Sequence, residues 1–259
     1  MASAFHRLRL AGRRAFIPYV TAGFPSPDDT PEVLATLADA GADFIELGIP
    51  FSDPLADGPI IQQATWQALN QGVDVVDVLS WTEAFASRSD VPIVLFTYVN
   101  PVLQYGPERF VREARSAGAA GLLITDLPTG EDRELEEALS SGGLDLVRLV
   151  APTTGRDRVL RIVESARGFL YYISRTGVTG EREEMRRGLA DDLKELRTLT
   201  DLPVAVGFGI SKPEHARLVA TVADGVVVGS ALVRALGESG LPAVRALAVA
   251  LREAIDGAS

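Results

Sequence analysis

The sequence predicts one α/β domain, residues 1–259, folded as a closed (β/α)8 TIM barrel with an extra N-terminal helix and a long loop after strand 2. Three observations favour this fold class. Eight short runs with strand-like composition alternate with stretches of helical periodicity, which implies a parallel sheet covered by helices. Eight such units in 259 residues match the usual length of a closed barrel, about 250 residues. No Gly/Ser linker or low-complexity tract divides the chain, and an open doubly wound sheet is the alternative fold.

The strand-like runs are short, apolar and rich in β-branched and aromatic residues. They are predicted at Phe16–Thr21, Phe44–Leu47, Pro92–Thr97, Gly121–Thr125, Leu146–Val150, Phe169–Ile173, Pro203–Val206 and Gly225–Gly229. The segments between them carry helix signals, as in 107–118, which begins with proline and ends with glycine. A helix is also predicted over 28–41. The gap between the second and third runs is the longest and leaves room for an extra short helix near Pro59, before the main helix around 75–85.

Composition excludes several classes of protein. A net charge of −10 opposes nucleic-acid phosphates and anionic membranes, so we expect neither as a partner. Cysteine is absent and histidine occurs only at His6 and His215, which excludes thiolate metal sites and a histidine-rich metal cage. No signal peptide or membrane-spanning run is visible, and a cytoplasmic location is expected.

Glu46 is a carboxyl group within an apolar strand. Side chains alternate along a strand, so Glu46 shares a face with Phe44, and it lies near the C-terminal end, where catalytic groups of this fold are found. Inward neighbours such as Tyr19 and Phe96 would remove water from the carboxyl and raise its pKa into the range of general acid–base catalysis. The alternative is a structural salt bridge to an arginine inside the barrel.

Two further acids, Asp53 and Asp57, lie on the long connection that follows Glu46. Asp57 precedes Gly58 and Pro59 in a turn that leads into a helix, so a capping role is an alternative for it. Asp53 precedes a proline and can equally initiate a turn. Their position directly after an inward acid favours a role in the same site.

Glycine-rich turns follow the last three predicted strands, at 175–180, 207–211 and 229–233. Glycine lets backbone N–H groups approach an anion closely, and the turn at Gly229 and Ser230 also opens a helix, whose N-terminus favours negative charge. Barrels of this type often hold a substrate phosphate after strands seven and eight. The sequence therefore predicts a phosphate site, with three purely conformational turns as the alternative.

Four motifs in one order carry a family resemblance: FIPYVTAGFP at 16–25, ELGIPFSDPLADGP at 46–59, SRTGVTG at 174–180 and GFGIS at 207–211. On these motifs the sequence resembles the α subunit of tryptophan synthase over essentially its full length. The resemblance implies a lyase of tryptophan biosynthesis that cleaves indole-3-glycerol phosphate to indole and glyceraldehyde 3-phosphate, a retro-aldol reaction. It also implies that the chain itself needs no cofactor and no metal.

The resemblance also assigns roles to individual residues. Glu46 would be the general acid–base, and Asp57 would accept the indole N–H hydrogen bond and stabilise the developing positive charge. Thr179 would hydrogen-bond Asp57 when the sixth loop closes. Phosphate ligands would be the backbone at Gly180, Gly209, Gly229 and Ser230. Tyr19, Phe96 and Ile210 would line the indole pocket, with ordinary core residues as an equal alternative, and Tyr171 would lie near the catalytic glutamate. Some members have phenylalanine and a smaller aliphatic residue at positions 19 and 96, so the resemblance does not determine the shape of the pocket in this chain.

Members of the family act in an α2β2 complex and pass indole to a β subunit that holds pyridoxal phosphate. By resemblance, Pro50, Asp53, Asn100 and the stretch after 126–128 face that subunit, and the contact couples loop closure in α to chemistry in β. Pro50 and Asn100 have an alternative interpretation as turn residues. Other hypotheses are a stand-alone indole-releasing lyase, a non-catalytic activator of the β subunit, and a phosphosugar isomerase or epimerase barrel.

Overall fold

The computed structural model describes residues 1–173, 182–207 and 209–258, with the backbone alone for 182–187. Eight parallel strands form a closed ring in chain order, and β1 pairs with both β2 and β8. The predicted (β/α)8 barrel is confirmed. The strands are β1 Ala15–Thr21, β2 Ile45–Gly48, β3 Ile93–Thr97, β4 Gly121–Ile124, β5 Asp145–Val150, β6 Leu170–Ile173, β7 Val204–Gly207 and β8 Gly225–Val228.

Helices follow the strands and form the outer layer of the barrel, except for α1, which precedes β1. They are α1 Ala2–Leu10, α2 Thr30–Asp39, α3 Pro59–Asn70, α4 Val75–Ala86, α5 Val99–Tyr105, α6 Pro107–Ser116, α7 Arg133–Ser141, α8 Arg156–Ser165, α9 Arg182–Leu196, α10 Pro213–Ala220 and α11 Ser230–Asp256. The extra helix after β2 is confirmed as α3. Its first residue is Pro59. Proline is well suited to this position because it has no backbone N–H, and an N–H in the first helical turn has no partner within the helix.

The prediction of a single helix over 28–41 was wrong at its N-terminus. A 3-10 turn, Pro27–Asp29, precedes α2, which begins only at Thr30. Pro31 lies within the first turn of α2, where its fixed φ is accommodated, and the Thr30 hydroxyl accepts a hydrogen bond from Gly23 N at 2.9 Å. The short helix α5 was not predicted, because an Asn-Pro pair after a strand has the composition of a turn.

Two apolar layers hold the barrel together. One lies between the strands and the outer helices, and the other fills the barrel interior with residues such as Phe44, Val94 and Phe169. The predicted N-terminal helix, α1, covers the N-terminal end of this interior, because Phe5 stacks on Phe44 at 4.8 Å between ring centroids and lies 5.6 Å from Phe169. The opposite, C-terminal end is left open for a cavity.

Within the described ranges, no helix is both long and apolar enough to cross a membrane. Among the same residues, no cluster of three or more His, Asp or Glu side chains has an arrangement that could hold a metal ion.

Candidate active site

A cavity of about 590 Å³ opens at the C-terminal end of the strands. Strand ends and the loops that follow them supply its lining, as expected for an active site in this fold. The cavity brings together most of the residues singled out from the sequence: Tyr19, Glu46, Asp57, Phe96, Tyr171, Gly209, Ile210, Gly229 and Ser230. Two others, Thr179 and Gly180, lie outside the described residues.

Glu46 is the buried acid of the cavity. It lies on β2 beside Tyr19 of β1 and Val94 of β3, and its side chain is 1% exposed. Its Oε1 atom has no hydrogen-bond partner among the described residues, and burial raises the pKa of the carboxyl to about 8. No arginine pairs with it in the described part of the chain. Glu46 is therefore protonated at neutral pH and can donate that proton.

Asp57 is the second acid, on the loop between β2 and α3. The N-cap of α3 is Gly58, and no side chain caps that helix, so Asp57 does not act as its cap. Burial raises the pKa of Asp57 to about 6, while a hydrogen bond from Tyr98 lowers it. At neutral pH Asp57 is ionised while Glu46 is protonated, so one cavity holds an acid and an anion.

Tyr98 directly follows β3, and the sequence interpretation overlooked it. Its hydroxyl accepts a hydrogen bond from the backbone N–H of Ala56 at 3.1 Å and interacts with the carboxylate of Asp57. Its ring packs against Phe51, with 5.3 Å between centroids. Burial and the nearby Asp57 raise the pKa of Tyr98, so the phenol stays protonated and can donate. The one sequence feature that could have identified Tyr98 was its position at the C-terminal end of a barrel strand.

Aromatic rings form one wall of the cavity. Tyr19 and Phe96 meet edge to face at 5.1 Å between centroids. Tyr19 reaches over the end of β2, where Gly48 leaves the space that its hydroxyl occupies, since a Cβ at Gly48 would overlap that hydroxyl. Gly207 leaves the same space for the hydroxyl of Tyr171. Burial raises the pKa of both tyrosines, so both phenols are neutral hydrogen-bonding groups.

A candidate anion-binding corner lies beside Tyr19 at the end of β8, where a Cβ added at Gly229 would come within 3.3 Å of the Tyr19 ring. Helix α11 begins at Ser230, and Gly229 O accepts the first helical hydrogen bonds, from Leu232 N at 2.8 Å and Val233 N at 3.1 Å. The N–H groups at the very start of a helix have no partner within it, so those of Ser230 and Ala231 are available to a ligand. Gly209, with a φ of +76°, also lines this corner.

The residues expected to face a partner differ in exposure. Asp53 and Asn100 are exposed, and the Asp53 carboxylate accepts a hydrogen bond from the Ser52 hydroxyl at 2.5 Å. Pro50 is buried within this chain. The same face carries two exposed apolar side chains that the sequence interpretation did not single out, Leu55 at 93% and Leu103 at 49% exposure. Loops β3–α5 and β4–α7 are joined there, since Asp126 accepts a hydrogen bond from Val99 N at 2.7 Å.

The barrel with a neutral acid, a carboxylate and an anion corner at its C-terminal end defines an acid–base enzyme of the (β/α)8 class. The family profile described as tryptophan synthase alpha chain matches residues 5–254, and this chain belongs to that family. A tryptophan synthase alpha chain from Synechococcus elongatus is 49% identical over 257 residues, covering 99% of this chain and 97% of the relative.

Solved structures are similar as well. The alpha subunit of tryptophan synthase from Legionella pneumophila superposes with a TM-score of 0.92 at 37% identity, covering 99% of this chain and 98% of that one. A chain of tryptophan synthase from M. tuberculosis, in an aminoacrylate-bound form, superposes with a TM-score of 0.89 at 37% identity, covering 98% of each chain.

Proposed function

We propose that Glu46 and Asp57 perform, in this chain, the lyase reaction of the tryptophan synthase alpha chain family. That reaction cleaves indole-3-glycerol phosphate to indole and glyceraldehyde 3-phosphate. The observation that carries the assignment is the pair of carboxyl groups with different pKa values in one cavity, about 8 for Glu46 and about 6 for Asp57. A retro-aldol cleavage of this substrate needs one group that exchanges protons and another that stays negative.

The first step is protonation of the indole ring. Glu46 donates its proton to C3 of the indole, which places a positive charge on the ring and its nitrogen. Asp57, ionised at neutral pH, accepts the hydrogen bond of the indole N–H and stabilises that charge. A buried carboxyl suits the donor role because its raised pKa keeps the proton available at neutral pH.

The second step breaks the carbon–carbon bond. Glu46, now a carboxylate, removes the proton from the glycerol hydroxyl next to the bond, and the oxygen forms the aldehyde carbonyl. The electrons of the carbon–carbon bond return to the indole ring and neutralise its positive charge. Glu46 ends the cycle protonated, so each turnover consumes no external acid or base.

Other groups hold the substrate in place. Its phosphate binds the backbone N–H groups at Gly209, Gly229 and Ser230, together with Gly180 of the sixth loop. The indole ring lies among Tyr19, Phe96 and Ile210, while Tyr171 lies near Glu46. Thr179 hydrogen-bonds Asp57 when the sixth loop closes, and closure excludes water from the reacting atoms.

An alpha chain of tryptophan synthase implies a β partner. We infer an α2β2 complex in the cytoplasm, in which Asp53 and Asn100 contact the β subunit and the buried Pro50 shapes the loop that carries Asp53. Leu55 and Leu103, exposed on the same face, would be covered in that complex. The α chain uses no cofactor of its own, and the indole passes to a β subunit that holds pyridoxal phosphate.

The test is release of indole from indole-3-glycerol phosphate by the purified chain, alone and with a tryptophan synthase β subunit. Glu46→Gln keeps the size of the side chain and removes its proton transfer, so turnover should fall by about 1000-fold or more, given the usual worth of general acid–base catalysis in two steps. Glu253→Gln, an exposed position on α11, makes the same chemical change away from the cavity and should leave turnover unchanged.

The alternatives predict different results. Rapid release without β would favour a stand-alone lyase. No release by the wild-type chain, with or without β, would favour a non-catalytic activator, and wild-type turnover by Glu46→Gln would remove Glu46 from the mechanism.

A further inference from the structure

The charged groups that line the cavity are unevenly distributed. Glu46, Asp57 and Glu238 supply carboxyl groups, and Arg234 is the only cation among the described lining residues. The whole chain carries a net charge of −10. A phosphate monoester with two negative charges must therefore enter a negatively charged protein through a mouth that holds one described positive side chain.

Arg234 lies on the same face of α11 as Ser230, the first residue of that helix. It follows Ser230 by four residues, and side chains at that spacing are neighbours on a helix surface. Both residues line the cavity and both are exposed. The guanidinium can therefore reach toward an anion held at the N–H groups of Gly229 and Ser230, and its planar fork matches two phosphate oxygens.

Arg234 is also available for such a ligand. Two buried arginines elsewhere in the fold are committed to carboxylates: Arg252 pairs with Asp43 at 2.7 Å, and Arg148 pairs with Glu136 at 3.1 Å. Arg234 forms no ion pair with any other described residue, including Glu238, four residues further along α11. A cation at a cavity mouth with no ion-pair partner among the described residues has its charge available to an incoming anion.

We propose that Arg234 binds the substrate phosphate from the rim of the cavity and makes the enzyme selective for phosphorylated substrates. The inference rests on the proposed function and deepens it. Glu238 opposes this effect, because its negative charge lies one turn further along the same face and repels the dianion. The two side chains together set the electrostatic part of substrate affinity.

The test compares Arg234→Gln with Arg245→Gln, a matched control that removes one exposed arginine from α11, beyond its break at Gly240, at a position that does not line the cavity. Arg234→Gln should raise KM for indole-3-glycerol phosphate by about tenfold with kcat nearly unchanged, as expected for loss of one charge-assisted contact. Arg245→Gln should leave KM within about twofold of wild type. Glu238→Gln should lower KM.

Two further readouts separate phosphate binding from a structural role. The effect of Arg234→Gln should disappear with indole-3-glycerol, which lacks the phosphate, because the guanidinium then has no anion to bind. The dependence of kcat/KM on salt concentration should also weaken in Arg234→Gln, since screening acts on the lost charge. A structural defect would lower kcat/KM for both substrates.

The outcomes are distinct. If the wild-type chain is active and Arg234→Gln matches Arg245→Gln in KM, the inference is wrong while the proposed function stands. The same holds if both substrates lose kcat/KM equally. If the wild-type chain releases no indole even with a β subunit, the proposed function itself fails.

Discussion

Glu46 illustrates the cost of burying a carboxyl group at the scale of a single residue. A buried carboxyl gives up its hydration, and one oxygen of Glu46 has no replacement partner among the described residues. The group responds by holding its proton, with a pKa of about 8. The same desolvation that destabilises the folded chain thus makes the residue a proton donor at neutral pH.

Asp57 must be ionised and Glu46 protonated for the first step, so kcat/KM should follow a bell-shaped pH profile with limbs near pH 6 and pH 8. Tyr98→Phe tests the acid limb. The Tyr98 hydroxyl favours the ionised form of Asp57, and its loss should raise the pKa of Asp57 and move the acid limb to higher pH. Steady-state kinetics between pH 5 and pH 9 measure this shift.

Tyr105→Phe is the control for that experiment, because Tyr105 makes its hydrogen bond to Glu113 on the outer helix α6. A Tyr98→Phe enzyme whose acid limb matches that of the wild type would show that Tyr98 does not tune Asp57. A shift in both variants would point to a general effect of losing a phenol.

At the scale of the element, the active site depends on where strands end and on the glycines at those ends. Gly48, the last residue of β2, leaves room for the Tyr19 hydroxyl from β1. Since β1 and β2 pair in register there, neither strand can shift to make space. The strand ends therefore fix the aromatic wall next to Glu46.

Gly48→Ala should displace the ring of Tyr19 and lower both stability and turnover, because an added Cβ meets the side chain in a packed barrel interior. Overpacking of this kind typically costs about 1–3 kcal/mol. Adding Tyr19→Phe, which removes the overlapping hydroxyl, should restore part of the loss. Thermal melting and indole release measure both effects, and a Gly48→Ala enzyme with wild-type properties would contradict the packing argument.

The elements themselves were largely predictable. Every predicted strand agrees with the structure to within one residue at each end, because parallel barrel strands are short continuous apolar runs bounded by turn residues. Glu46 was recognisable because a carboxyl interrupts such a run. Tyr98 was not, because a tyrosine at the end of β3 has the composition of ordinary core, and its bond to the loop of Asp57 depends on the fold.

The same limit applies to α5 and to the start of α2. An Asn-Pro pair and a run of prolines and acids both have turn composition, yet the first lies in a helix that buries Val102, while the second forms a 3-10 turn with no buried residue. That Arg234 has no ion-pair partner among the described residues could not be predicted either, since ion pairing between helices depends on distances in the folded chain.

At the scale of the whole molecule, the two ends of the barrel have different roles. The N-terminal end is closed by α1, whose Phe5 packs into the interior core against Phe44 and Phe169. The C-terminal end holds the cavity, the acids and the anion corner, all on strand ends and loops. One end is thus closed by apolar packing and the other carries the candidate catalytic groups, and the buried Glu46 makes stability depend on pH.

The most direct measurement is the difference in stability between Glu46→Gln and wild type as pH rises from 6 to 9. The folded-state pKa of Glu46, about 8, lies above its ordinary value of 4.5, so the stabilisation from its bound proton is complete below pH 4.5 and is lost as pH rises to about 8. Glutamine does not titrate, so any constant cost of burying its amide leaves the slope unchanged.

We expect the free energy of unfolding of Glu46→Gln to gain about 1.4 kcal/mol on that of wild type for each pH unit up to about pH 8, or roughly 4 °C in melting temperature, and the difference then to level off. Glu253→Gln, exposed on α11, should show no such slope. A difference that stays constant from pH 6 to pH 9 would mean that Glu46 is already ionised in the folded protein, which contradicts its role as the proton donor.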